Sequence, residues 1–273
     1  MIDLHVHYLP GIDDGPKTLE DSLAMARLAV ADGVRAATVT PHHLNGRYMN
    51  GAAAVSAALE RLRQALDEQE IPLQLFPGSE IHLTPELPEA LADGTAMTVA
   101  GRGRAVLVEP PANSLPLGAE TILSQCLGQG ITPVIAHPER CRPLQVDQAP
   151  LRRWVDMGCL VQITAQSCTG HFGRRPQAAA RAMLEAGLAH LLASDGHRPY
   201  GRVPCLSEGR AAVAQWAGEA LGEQLTETVP EALLKGERPD IQALIALLPG
   251  TGTGRGQGPR RRPAWMRWLG LTD

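Results

Sequence analysis

Seven short apolar runs, ending near Val6, Val39, Phe76, Val108, Ala136, Ile163 and Ala193, alternate with helical patterns along most of this chain. The helical stretches fall near 18–32, 52–70, 85–92, 118–129, 147–157 and 177–186. A helix between each pair of strands leaves room for a crossover, so the strands are expected to lie parallel with helices packed outside them, an α/β architecture. Thr18 with Asp21 resembles an N-cap opening the first helix, and Gly33 follows its end. Val55, Leu59, Leu62 and Leu66 recur at helical spacing in the alanine-rich stretch 52–70. Two further helices, near 206–220 and 229–247, complete the expected domain, and 273 residues suffice for one large core.

Composition narrows the function. Aromatic residues are only 3% of the chain and the net charge is −4, which argues against stacking on nucleic-acid bases and against general polyanion binding. The charge is uneven: residues 251–273 hold five arginines and one acid, so the remainder is strongly acidic. Pro249 starts a change of composition, with a glycine-rich linker, Arg260-Arg261-Arg262 and an apolar tip containing Trp265 and Trp268. The expected organisation is therefore a folded unit over 1–248 and a flexible basic arm over 249–273. That arm is either a tail without a partner or a docking peptide for a partner protein or an anionic membrane face. No secretory signal or membrane-spanning run is apparent, and five cysteines (126, 141, 159, 168, 205) without a C-x-x-C pair suit a reducing cytoplasm.

Metal-ligating residue types cluster at the strand ends. His5 and His7, one residue apart, project from one side of the first strand, and Asp13 and Asp14 follow in its loop. His42 and His43 follow the second strand, Glu80 and His82 the third, Glu109 the fourth, His137 the fifth, and Asp195 and His197 the seventh. Parallel strands bring their C-terminal ends to one face, where active sites of α/β barrels sit. So many carboxylates and imidazoles in one bowl repel or stay undersatisfied without cations, and two or three divalent metals would resolve this. Mixed nitrogen and oxygen donors suit Mn, Fe or Zn, in the closely spaced layout used for phosphoester hydrolysis. Arg140 and Arg202 lie in loops on this face, with Arg47, next to Tyr48, as a third candidate. A guanidinium fork matches phosphate oxygens and the charge of a phosphoryl transition state.

These segments resemble a known family. Met-Ile-Asp-x-His-x-His with Leu-Pro-Gly-Ile-Asp-Asp-Gly (9–15), Thr-Pro-His-His with Asn-Gly-Arg-Tyr (40–48), Pro-Gly-Ser-Glu-Ile (77–81), Ala-His-Pro-Glu-Arg (136–140) and Ser-Asp-Gly-His (194–197) look like CpsB/CapC-type protein-tyrosine phosphatases of the PHP (polymerase and histidinol phosphatase) superfamily. The resemblance runs in order from residue 1 to about 245. It implies a distorted (β/α)7 barrel with a three-metal site, usually Mn, with Fe, Zn or Mg as alternatives. It assigns the ligands to His5, His7, Asp14, His42, Glu80, Glu109, His137, Asp195 and His197, with Glu80 bridging. It assigns phosphate binding to Arg140 and Arg202, and leaves Arg47 and Tyr48 as substrate-contacting candidates. The implied substrate is the tyrosine-rich tail of a cytoplasmic autokinase that controls capsule or exopolysaccharide export. Cys141 and Arg198 depart from the family pattern, which commonly has an aromatic residue and Asn there.

Asp13 is then expected to shape its turn. His43, His82, His171 and His190 are expected to be structural or to orient ligands, His43 foremost. Cys168 and Arg174 fit C-x5-R, the pattern of thiol-dependent tyrosine phosphatases, but His171 stands where that phosphate loop usually has glycine. Two rival readings are the same scaffold acting on a small phosphate ester such as histidinol phosphate, and a non-catalytic module that docks on a kinase.

Overall fold

The computed structural model describes residues 1–248, and the expected arm at 249–273 lies outside them. Nine strands are described: β1 (Ile2–Val6), β2 (Ala36–Val39), β3 (His42–His43), β4 (Gln74–Phe76), β5 (Glu80–His82), β6 (Ala105–Glu109), β7 (Thr132–Ala136), β8 (Leu160–Thr164) and β9 (Leu191–Ala193). All paired strands run parallel, in two hydrogen-bonded sheets ordered β1-β2-β4 and β3-β5-β6-β7-β8-β9.

The extra strands arise because the second and third expected strands are each interrupted and resume. Pro41 and Pro77 fall in the interruptions, where a residue without an N–H cannot continue a ladder. Gly78 sits so close to the neighbouring chain that a Cβ there would stand 2.4 Å from the Thr38 methyl. Beyond the break β3 and β5 pair afresh, His42 opposite Glu80.

The two sheets meet again at the other side. Val6 and Gly196 form a parallel bridge, the Asp195 N–H donates to the His5 carbonyl at 2.8 Å, and the His7 N–H donates to the Gly196 carbonyl at 2.9 Å. Behind this seam the buried Asp3 carboxylate accepts from the Ser194 hydroxyl at 2.5 Å and the Ser194 N–H at 3.1 Å.

Most of the strands are covered on both faces. In β6, Ala105 and Leu107 join the inner cluster with Ile2, Leu4 and Val134, whereas Val106 and Val108 pack outward with Ile122, Leu123 and Trp154 of the flanking helices. Parallel strands buried this way read as unbroken apolar runs, which made them visible in the sequence. Each such Val or Leu stabilises the fold by about 1.5–3 kcal/mol relative to leaving it exposed.

The first helix, Leu19–Ala31, is capped as expected, the Thr18 hydroxyl accepting from the Asp21 N–H. The two final helices differ from expectation because glycine breaks both. The first divides into Ser207–Ala217 and Glu219–Glu223 around Gly218 (φ 96°). The second divides into Val229–Lys235 and Ile241–Ala246, with Gly236 (φ 75°) and Pro239 between. Among the described residues no helix is long and apolar enough to cross a membrane.

Candidate metal centre

The C-terminal strand ends deliver their polar side chains to one bowl. His5 ends in it from β1 and His7 follows one turn of the pleat later; His42, Glu80 and Glu109 come from β3, β5 and β6. His137 and Asp195 lie one and two residues past the ends of β7 and β9, both with left-handed backbones (φ 31° and 51°). That conformation is uncommon outside glycine, and Asp and His are among the residue types that tolerate it best.

Three overlapping groups of donor atoms form there: His7, Asp14, His42 and His197; His5, His7, Glu80 and Asp195; and His42, Glu80 and Glu109. The sequence-expected set is thus brought together, with His137 joined through its Nε2, 2.8 Å from Glu80 Oε1. Glu80 Oε2 stands 3.3 Å from both His5 Nε2 and His7 Nε2 and 3.1 Å from His42 Nδ1. Asp14 Oδ1 stands 3.4 Å from both His42 Nε2 and His197 Nε2. The His5 and His7 Nε2 atoms face each other at 3.4 Å.

Despite this proximity, Asp14 Oδ1, His42 Nδ1, Glu80 Oε2, Asp195 Oδ1 and His197 Nε2 are buried without a hydrogen-bond partner. Leaving several buried donors and acceptors unmatched costs about 1–3 kcal/mol each. Donors held about 2.0–2.2 Å from one small cation stand roughly 3–3.6 Å from each other, the spacing seen between these atoms. The residues present therefore fit divalent cations.

Charge balance supports the same reading. Burial raises carboxyl pKa values, yet Arg202, His5 and Arg140 hold Asp195 well below the ordinary range, and His5, His42 and His137 do the same for Glu80. Burial likewise disfavours charged imidazoles, but the carboxylates outweigh it and raise His5, His7 and His42. His197, in the same bowl, is instead driven down, to about 4, by burial and the His7 charge. The carboxylates that favour positive charge on these imidazoles would favour bound cations in the same way, and an imidazole ligates a metal only when neutral, so cation binding and protonation would compete.

Sequence reasoning missed the groups that aim these ligands. Gln162, inside β8, accepts at its Oε1 from His5 Nδ1 at 2.9 Å and from the His137 N–H at 3.2 Å. Its signal was an amide in the middle of the apolar run Leu160–Thr164, on the strand that supplied no ligand candidate. Asp13, expected to shape a turn, does so by accepting from the Gly15 N–H at 2.8 Å, and also holds His7 Nδ1 at 2.7 Å. Gly15 is required by this closeness, since a Cβ would stand 2.9 Å from the His7 carbonyl oxygen. Such outer hydrogen bonds fix tautomer and ring orientation.

Arg140, on the turn Pro138–Arg140, and Arg202 both donate to Asp195 Oδ2, while the buried Arg202 Nε has no partner. Tyr48 stacks on His42 (centroids 5.9 Å, planes 7° apart), and the exposed Arg47 stacks on Tyr48 at 5.1 Å.

The expectation that His43 leads the ligand-orienting histidines is corrected. By strand alternation it points away from His42, both its ring nitrogens lack hydrogen bonds, and Asp93 is the charge acting on it. His82 reaches the rim instead, 3.4 Å from Glu109. Cys168 is buried, and burial together with Glu139 pushes its thiol well up, so no thiolate is available.

Residues 1–235 match the family model described as capsular polysaccharide synthesis, CpsB/CapC. The tyrosine-protein phosphatase YwqE of Bacillus subtilis (strain 168) is 37% identical over 237 residues, covering 87% of this chain and 92% of the relative. The tyrosine-protein phosphatase CpsB of Streptococcus agalactiae is 30% identical over 240 residues, 86% of this chain and 98% of its own. The crystal structures of YwqE and of Streptococcus pneumoniae CpsB, described as unique metal-dependent tyrosine phosphatases, include a chain that superposes with a TM-score of 0.84 at 37% identity, covering 88% of this chain and 96% of that one.

Proposed function

Because the chain belongs to the CpsB/CapC family, we propose that it is a metal-dependent protein-tyrosine phosphatase, a phosphomonoesterase. The observation that carries this is the cluster of buried, unmatched imidazole and carboxylate atoms beside two guanidinium groups that converge on Asp195. In this reading His5, His7, Asp14, His42, Glu80, Glu109, His137, Asp195 and His197 hold two or three divalent cations, Mn foremost. Bound there, the cations supply Lewis acidity that polarises phosphoryl oxygens and acidifies water. Glu80, a member of two donor groups, is suited to bridge them.

The chain's own part is to bind and orient the phosphate. Arg202 keeps a buried Nε–H without a partner, a donor available to an anionic oxygen. Arg140 adds a second fork, and Asp195, which accepts from both, sets the angle at which they meet. Gln162 and Asp13 hold the His5 and His7 rings with Nε2 turned toward the bowl. Tyr48 offers an apolar ring face at the rim for a phenolic substrate.

The parallel strand order, with the bridge between Val6 and Gly196 at the seam, supports a distorted (β/α)7 barrel over 1–248. The substrate proposed is the tyrosine-phosphorylated tail of an autokinase serving capsule or exopolysaccharide synthesis in the cytoplasm. The five free cysteines and the family's link to capsular polysaccharide synthesis are consistent with it. The basic composition of 249–273 supports contact with that partner or with an anionic membrane face.

The test is turnover of a phosphotyrosyl peptide by the full chain. Chelation should abolish it, Mn should restore it, and Cys168→Ser should leave it intact. Activity that survives chelation and dies in Cys168→Ser would overturn the metal reading. Preference for histidinol phosphate over the peptide would overturn the substrate.

A further inference from the structure

The segment from Thr164 to Phe172 contains the start of the C-x5-R match, yet its thiol is buried and unactivated. It nevertheless touches both arginine loops. Glu139, the residue before Arg140, is fully buried, and its Oε1 accepts from the Thr164 N–H at 3.0 Å and the Ser167 hydroxyl at 2.7 Å. These bonds fasten the Pro138–Arg140 turn to the end of β8. Farther along, the Phe172 ring lies beneath the Arg140 guanidinium, 4.8 Å from ring centroid to Cζ. On the other side, Gln166 Nε2 donates to the Gly201 carbonyl at 2.7 Å, one residue before Arg202. The Arg202 carbonyl in turn accepts from the His197 and Arg198 N–H groups at 2.8 and 3.1 Å, closing the loop. The segment itself is tied down where Gln177 Nε2 donates to the Cys168 carbonyl at 3.0 Å.

We propose that Thr164–Phe172 is a bracket that sets both arginines at the metal bowl, with Glu139 and Phe172 positioning Arg140 and Gln166 positioning Arg202. An arginine side chain is long and loses much rotamer freedom when it binds. Fixing its loop and stacking its guanidinium beforehand removes part of that cost and holds the fork at the angle the phosphate needs. A single rigid piece serving both forks also keeps their mutual spacing constant. The inference rests on the reading of Arg140 and Arg202 as phosphate-binding residues, and adds how they are aimed.

The test uses double-mutant cycles on the Mn-loaded full chain with a phosphotyrosyl peptide. Phe172 and Gln166 are both partly exposed, so their variants leave the core alone. Phe172→Leu and Gln166→Leu should each lower kcat/KM by roughly 5- to 10-fold without moving the thermal midpoint. Phe172→Leu should lose its effect in an Arg140→Ala background and keep it in Arg202→Ala. Gln166→Leu should do the reverse. Phe172→Tyr, which keeps the ring face, should restore activity. Equal losses in every background would overturn the bracket, as would full activity of both single variants. Silent Arg140→Ala and Arg202→Ala variants would give a different result: they would overturn phosphate binding by these arginines, and the bracket with it.

Discussion

Buried histidine meets opposite treatment at the two ends of the parallel strands. At the C-terminal ends, His5, His7 and His42 share a dry bowl with carboxylates, which outweigh burial and favour the charged rings. At the other end, His190 precedes β9 in a buried position, and its Nδ1 accepts from the Val161 N–H at 3.0 Å. Nothing opposes desolvation there, and its pKa drops to about 4. One ring completes a ladder as a neutral acceptor; the others face carboxylates that favour positive charge on them. The difference shows that burial alone does not mark a functional histidine. What marks it is burial together with unmatched partners of opposite sign.

The strongest challenge to that contrast is removal of a bowl histidine. His5→Ala should lower turnover by on the order of 10²–10³-fold and reduce bound metal in elemental analysis. Retained metal and turnover would show that the bowl is an ordinary buried ion-pair cluster.

At the opposite end the effect should fall on stability. An unfolded histidine titrates near 6.5 and His190 in the fold near 4, so between those values the unfolded chain binds more protons. Stability therefore falls as pH drops through that window, and the His190 contribution amounts to about 3 kcal/mol when complete. His190→Asn, which keeps an acceptor for the Val161 N–H, should flatten that part of the loss in urea unfolding at pH 7 and pH 4.5, with turnover at pH 7 unchanged.

Gln162→Leu sharpens the comparison from inside the bowl. It preserves bulk but frees the His5 ring, and should cost roughly 10- to 100-fold in Mn affinity by titration. An unchanged affinity would mean that the bowl geometry is set by packing alone.

Much of this was legible in the residues, for identifiable reasons. The strand ends at Val6, Val39, Phe76, Ala136 and Ala193 coincide with expectation because strands buried on both faces are mostly apolar. Strands β3 and β5 were not legible, because two or three residues after a proline-containing break are too few to show a period. Gly218 and Gly236 were absorbed into long helical patterns because apolar spacing resumes beyond each of them. The bowl itself stood out because histidines and carboxylates placed at successive strand ends serve no packing purpose. Its supports did not. Gln162 carries no charge, and the contact of Phe172 with Arg140 joins two loops that nothing in their spacing relates.

The seam that joins Asp195 to His5 has a kinetic consequence. The first strand cannot meet its last neighbour until nearly the whole chain between them is in place, and contacts of such long separation come at the cost of a large loop closure. Because donors from both sides of the seam share one group, His5 and His7 with Asp195, no early folding fragment carries a complete constellation. Competence to act should therefore appear in a single late step, together with formation of the bridge between Val6 and Gly196, and refolding followed by activity should lag behind refolding followed by helix content.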